Sequence, residues 1–145
     1  MKFRLIIDKT KDEEVVATVH EPSKLTREIE SLILSYSGAD KILAYADDDM
    51  LLLAFEDTEC ITVLDSKTYA IDRTGKQYRL KLRLYEIEQL LPAYFIRINK
   101  STFANEHRLE RFSAVFHGGV DAVFRCGHRD YVSRRCFAEI KRRYK

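Results

Sequence analysis

The feature that most constrains this chain is the strict alternation over Lys76–Leu84. Tyr78, Leu80, Leu82 and Leu84 are apolar, while Gln77, Arg79, Lys81 and Arg83 between them are polar. A period of two places one set on a buried face and the other in water, which is the pattern of a half-buried strand. The preceding stretch reads the same way in shorter pieces. Ile42–Ala46 and Met50–Phe55 flank Asp47-Asp48-Asp49; Cys60–Leu64 and Thr68–Asp72 flank Asp65-Ser66-Lys67; Thr74-Gly75 leads into the alternating run. β-rich runs joined by such polar turns predict antiparallel hairpins. Downstream, Arg108–Phe116 and Val120–Cys126 meet across His117-Gly118-Gly119. Helical spacing is confined to short pieces: Leu84, Ile87, Leu90 and Leu91 before Pro92, and Phe137, Ile140 and Tyr144 near the end. The expected fold class is mainly β with small helices, a β-rich α+β chain.

Residues 1–40 form a different unit. Lys2–Asp8 and Glu14–Glu21 are β-rich runs around the charged turn Lys9–Glu13. After Pro22-Ser23, Leu25, Ile29, Leu32, Ile33 and Tyr36 fall on one helical face, and Gly38 ends it. The expectation is a ββα unit at 1–40 followed by a second domain at 41–145. Two strands and a helix cannot bury a core alone, so the unit must pack on the rest of the chain or on another subunit. It is also too short for a phosphoacceptor receiver domain. Its net charge is acidic, so it is expected to face away from any polyanion and to serve in dimerisation or signal input.

Charge is divided unevenly along the chain. Residues 95–145 carry 12 Lys/Arg against 5 Asp/Glu, a net of +7, whereas residues 1–94 carry 13 against 18, a net of −5. The basic residues alternate with Phe, Tyr, Val and Ile, so they sit on a folded scaffold. Such asymmetry points to a polyanionic partner, most simply a nucleic-acid backbone. Two clusters stand out, Arg97-Ile98-Asn99-Lys100-Ser101 and Ser133-Arg134-Arg135. Ser133 is a preferred N-cap, so a helix should start there. Arg134 and Arg135 then occupy its first turn, where the helix dipole is positive and each costs about 0.3–1 kcal/mol. A bound phosphate would reverse that sign, and arginine can read guanine in the major groove. The bland alternative is a solvated surface pair. Asn99, Lys100 and Ser101 suit phosphates and base edges, or form an ordinary polar turn.

Other chemistries find less support. There is no Gly-rich phosphate loop, GxSxG elbow or HExxH, so no enzyme is expected. Cys126-Gly127-His128, Cys136 and His117 offer only one loose pair, where zinc sites show two tight ones, and neither metal nor cofactor is expected. Asp47-Asp48-Asp49 lacks the spaced ligands of a calcium loop. No apolar stretch approaches the roughly 20 residues of a membrane span, and the start of the chain turns polar at Asp8, too early for a signal peptide. Three scattered cysteines suit free thiols in a reducing compartment. The expected location is the cytoplasm.

The ordered set of these pieces resembles the LytTR family of bacterial DNA-binding domains. The matching residues are Ile61–Ile71 with its Asp65-Ser66-Lys67-Thr68-Tyr69 turn and the Leu84–Pro92 helix. Further on come Phe95–Ser101 with Asn105 four residues later, and Val132-Ser133-Arg134-Arg135. The resemblance is to small stand-alone LytTR regulators that carry a short N-terminal segment in place of a receiver domain. It implies an elongated stack of antiparallel sheets that inserts loop side chains into successive major grooves of double-stranded DNA and bends it. The implied contacts are Lys67 and Tyr69 on a first loop, Asn99, Lys100 and Ser101 on a second, and Arg134 and Arg135 on a third. Arg97 would touch phosphate or support its loop, and Asn105 would hold backbone geometry. Many members have His at the position of Asn99, and a relative has His near Tyr69, so base preference does not transfer. The N-terminal unit, read as a dimerisation element, points to a homodimer, at least on DNA; the resemblance implies a regulatory membrane-protein partner without membrane insertion of this chain. Two other readings of the basic surface are a protein-interaction adaptor and an RNA-binding module; most aromatics sit at apolar-periodic positions, which disfavours base stacking.

Overall fold

The structure is a computed structural model describing residues 1–144. Among the described residues, ten strands and three α-helices follow one another. The helix α1 (Lys24–Ser37) precedes β1 (Lys41–Ala46), β2 (Asp49–Ala54), β3 (Thr58–Leu64), β4 (Lys67–Asp72) and β5 (Gln77–Leu80). Then come α2 (Leu84–Glu88), β6 (Phe95–Asn99), β7 (Thr102–Asn105), β8 (Leu109–Ala114), β9 (Val120–Phe124), β10 (Arg129–Val132) and α3 (Arg134–Arg143). All strand pairs are antiparallel. They form a seven-stranded sheet in the order β2-β1-β5-β4-β3-β7-β6 and a three-stranded sheet in the order β10-β9-β8.

The large sheet has two different faces. On one, Ile42, Ala44, Ile61, Ala70, Leu80 and Phe103 pack with Phe55, Phe95 and Ile87 of α2. On the other, Cys60, Ile71, Ile96, Ile98 and Ala104 meet Ala122, Phe124 and Val132 of the small sheet and Ile140 of α3. β3 is therefore covered on both sides, and Thr58, Glu59, Cys60, Ile61 and Thr62 are all buried. A strand covered on both faces loses the period of two, which is why its sequence does not alternate. The second layer does not extend over β1 and β2, whose outward side chains Leu43, Met50 and Leu52 remain exposed.

The alternating run is shorter as a strand than its sequence pattern. β5 pairs with β4 only as far as Thr68 opposite Leu80. β4 begins at Lys67, so Leu82 has no residue opposite it; the chain turns away and Leu84 opens α2, aided by the Arg83 N–H donating to Glu86 Oε1 at 3.1 Å. The hairpin turns fall where expected, with the β3–β4 turn reduced to two residues, Asp65 and Ser66, both at positive φ.

The N-terminal unit differs from expectation. α1 forms, entered through Ser23 and closed by Gly38 in the left-handed region, but it buries none of its residues. Lys2–Asp8 and Glu14–Glu21, expected as two strands, carry no strand pairing. A strand needs a neighbour to satisfy its N–H and C=O groups, and a lone two-stranded hairpin is marginal in water. Among the described residues the runs have no such neighbour, so the ββα expectation reduces to an arm without strand pairing and a helix.

Candidate nucleic-acid interface

Three polar tips converge at one end of the double layer. The first is the β3–β4 turn, where Lys67 is exposed and Tyr69 half-buried; the second is the β6–β7 turn with Lys100 exposed and Ser101 half-buried; the third is the start of α3, where Arg134 and Arg135 are exposed. A ladder of hydrogen bonds fixes their separation. The Val63 N–H donates to Ser101 O at 3.1 Å, joining the first tip to the second, and the Ser133 N–H donates to Ile98 O at 2.9 Å, joining the second to the third. The Asn99 amide donates to Tyr131 O at 2.8 Å. Thr102 donates to Asp130 Oδ2 at 2.6 Å, and its hydroxyl lies 2.8 Å from that of Thr62. A bulge between Arg97 and Asn99 sets Asn99 opposite Thr102 and breaks the simple register at the tip.

Asn99 is held within the fold by both ends of its amide. It is 1% exposed. Its carbonyl accepts the Ser101 N–H at 2.8 Å while its NH2 reaches Tyr131. A buried amide leaves neither end unpaired without a cost, so the residue ties two loops together. Arg97 bonds to the loop it precedes. Its guanidinium lies over the Phe103 ring and donates to Asn99 O at 3.1 Å and Lys100 O at 2.7 Å. Both bonds brace the backbone that carries Lys100. Asn105 is fully buried and bonds Phe55 O, Thr58 O and the His107 N–H, the geometry-holding role given to it above.

At the third tip, Ser133 caps α3 by accepting the Cys136 N–H at 3.2 Å. No acidic residue lies in the first turn, so Arg134 and Arg135 face the positive end of the helix dipole uncompensated. Arg135 lines a cleft of about 850 Å³ between α3 and β6, together with Arg97, Lys100, Ser133 and Arg143. Glu139 is its one acidic wall residue, so the cleft attracts anions. Arg143 is paired with Glu106 at 2.7 Å and Arg97 with Glu88 at 3.8 Å, which leaves Lys100 and Arg135 as the cleft's cations without an ion pair among the described residues.

One residue on this surface was not singled out from the sequence. A cross-strand row runs through Tyr45, Arg79, Tyr69, Thr62, Thr102 and Asn99. Arg79 stacks near the Tyr69 ring, 5.8 Å from its centroid, and so adds a cation beside the first tip. Its sequence signal was only that of one polar residue in an alternating strand; the register supplies its neighbour.

Behind the tips lies a buried ion pair. Glu59 is fully buried; its Oε1 accepts from Arg108 Nε at 2.5 Å and its Oε2 from the Cys126 N–H at 3.0 Å. It joins β3 to the small sheet. Burial pushes the Cys60 thiol well up and also raises Cys126, so both are protonated near neutrality. Burial lowers His128, whose Nε2 is buried without a partner. Among the described residues no cluster of His, Cys, Asp and Glu is arranged to hold a metal ion, and no helix is long and apolar enough to cross a membrane.

The model of the LytTr DNA-binding domain family matches residues 48–145. The chain belongs to the LytTR family. The match spans the seven-stranded sheet from β2 onward, the small sheet and α3, and therefore all three tips. LytTR architecture is also seen in a solved LytTr DNA-binding domain from Bacillus cereus, described as part of a methyl-accepting/DNA response regulator. The two share 22% identity at a TM-score of 0.64, over 71% of this chain and 94% of that one. Uncharacterised HTH-type transcriptional regulators of Staphylococcus aureus are similar along nearly the whole length. The protein of strain RF122 is 32% identical over 99% of this chain and 97% of its own. That of strain NCTC 8325 is 31% identical over the same shares. The N-terminal segment is thus part of the similarity to these relatives. Their name refers to a helix-turn-helix; in this LytTR chain the three helices lie far apart in sequence, and the basic tips are carried by turns and one helix start.

Proposed function

We propose that this LytTR chain is a cytoplasmic transcriptional regulator that binds double-stranded DNA sequence-specifically, setting its tips into successive major grooves. The observation that carries the reading is the hydrogen-bonded ladder spacing three basic tips on one rigid end. Charge alone would attract any duplex; fixed spacing is what turns attraction into register. In this reading Lys67, Tyr69, Lys100, Ser101, Arg134 and Arg135 meet the DNA, Arg79 adds a phosphate contact, and Asn99 and Arg97 position the second tip. The protein works as a homodimer on DNA, and a membrane protein that competes for the arm or the tips could regulate it.

The test is selection from a random duplex library, followed by fluorescence anisotropy on the winner and a scrambled duplex at two salt concentrations. Enrichment of short conserved blocks about one helical turn apart, with roughly a thousandfold preference over the scramble, is expected. No enrichment, with weak and equal binding that disappears in salt, would reduce the surface to charge attraction and favour the adaptor reading.

A further inference from the structure

The least satisfied part of the molecule is the end away from α3. β2 is the outer strand of the large sheet, so one edge of its backbone is open. Its sequence, Asp49-Met50-Leu51-Leu52-Leu53-Ala54, has none of the Lys or Pro that normally protects such an edge. Leu43 pairs across from Leu52, and these two with Met50 form an exposed apolar face where the second layer stops. The arm is the reciprocal surface. In Lys2–Asp8, Phe3, Leu5 and Ile7 alternate onto one side and all are exposed. Outside helices and strands, the arm's backbone hydrogen bonding is limited to its own turn, Lys11 N–H to Asp8 O. Leu32, Ile33 and Tyr36 of α1 are exposed as well.

We infer that the arm of a second copy of this chain adds as a strand to the open edge of β2, with exchange of arms closing a two-fold dimer. This rests on the homodimer reading above and names its interface. The sizes agree: a seven-residue run extends about 23 Å and six-residue β2 about 20 Å. The charges favour a parallel pairing, in which Lys2 and Arg4 of the arm would approach Asp47, Asp48 and Asp49 at the start of β2. Covering the arm, the β1–β2 face and the apolar side of α1 would remove exposed apolar side chains of both copies from water; a standard stable interface takes about 800 Å² per partner. Because the same two surfaces are used on both copies, the assembly stops at two. The pairing also explains why strand-patterned sequence is unpaired in the single chain: its partner backbone belongs to another molecule.

The experiment uses the full chain without DNA, so its outcome is independent of the DNA-binding reading. Sedimentation velocity over a concentration series is expected to show a monomer–dimer equilibrium. Leu5→Asp in the arm and Leu52→Lys on the edge are each expected to weaken it at least about tenfold, 1.4 kcal/mol. Leu5 lies in an unpaired segment, so its replacement leaves the folded domain intact, which a thermal melt checks. A photocrosslinker at position 5, in a mixture of isotopically light and heavy chains, is expected to give light–heavy peptides joined to β2. A monomer at every concentration, assembly beyond two, crosslinks only within one isotope, or a dimer whose arm crosslinks elsewhere would each overturn the inference.

Discussion

The two ends of the large sheet are built on opposite principles. At the β6–α3 end nearly every buried polar group has a partner, and the partners link one loop to the next. At the β2 end the residues are apolar and the edge is open; α1, which leads into β1, buries none of its residues, and its Glu30 accepts the Ala93 N–H at 2.9 Å. The first end is specified by directional bonds and can hold fixed tips at fixed spacing. The second offers non-directional area, which is suited to association. The sequence points the basic third at a polyanion and expects the N-terminal runs as strands of a ββα unit; the structure leaves those runs without strand pairing.

The contrast is most sharply tested by removing a bond from the specified end. Glu59→Ala would leave the Arg108 guanidinium and the Cys126 N–H facing an apolar interface. Breaking a buried pair in this way costs about 3–5 kcal/mol, so urea unfolding should show a large drop in midpoint, whereas Phe3→Asp in the arm should leave it unchanged at a concentration where the chain is monomeric. Asn99→Ala comes next, with about 1–3 kcal/mol lost for the groups left unpaired. It should also weaken DNA binding if, as proposed, Asn99 positions the second tip; retained affinity would show that the ladder does not set the tips. Arg135→Ala should leave stability untouched and weaken specific binding by about 1–3 kcal/mol, relaxing preference at one base pair. An equal loss on scrambled DNA would make it a phosphate contact. Lys100→Ala should lower the slope of log affinity against log salt by about one unit, and an unchanged slope would remove Lys100 from the phosphate contacts.

The smallest effect concerns pH. Burial holds His128 below its ordinary value of 6.5, partly opposed by Asp130 and Glu59. The unfolded chain therefore binds a proton that the folded chain resists. Its contribution is fully present above the unfolded pKa and is lost as pH falls from there through the folded value. Unfolding midpoints measured on either side of this range should fall on the acid side, and His128→Phe should flatten that part of the profile.

Much of this architecture was legible in the chain itself. Polar turns at Asp47-Asp48, Asp65-Ser66 and His117-Gly118 mark hairpins because few residues tolerate those backbone conformations, and Ser133 announces the start of α3 through its capping chemistry. These signals are local, and local rules read them. Other features depend on which strand lies beside which. Asn99 and Lys100 are adjacent polar residues of a turn, and nothing in their order says that one is buried among backbone groups while the other is free. That division comes from Tyr131, 32 residues away, occupying the Asn99 amide. Arg79 becomes part of the basic surface only when β5 takes its register against Tyr69.

What the sequence determined by itself was the alphabet of this fold: strand runs, turns, caps and a basic third, all set by interactions between residues a few positions apart. The tertiary structure alone decided which polar side chains brace and which are free, and which strand-like runs find a neighbour. Those outcomes follow from long-range pairing, where a hydrogen-bond partner dozens of residues away, or its absence, changes what the same side chain can do.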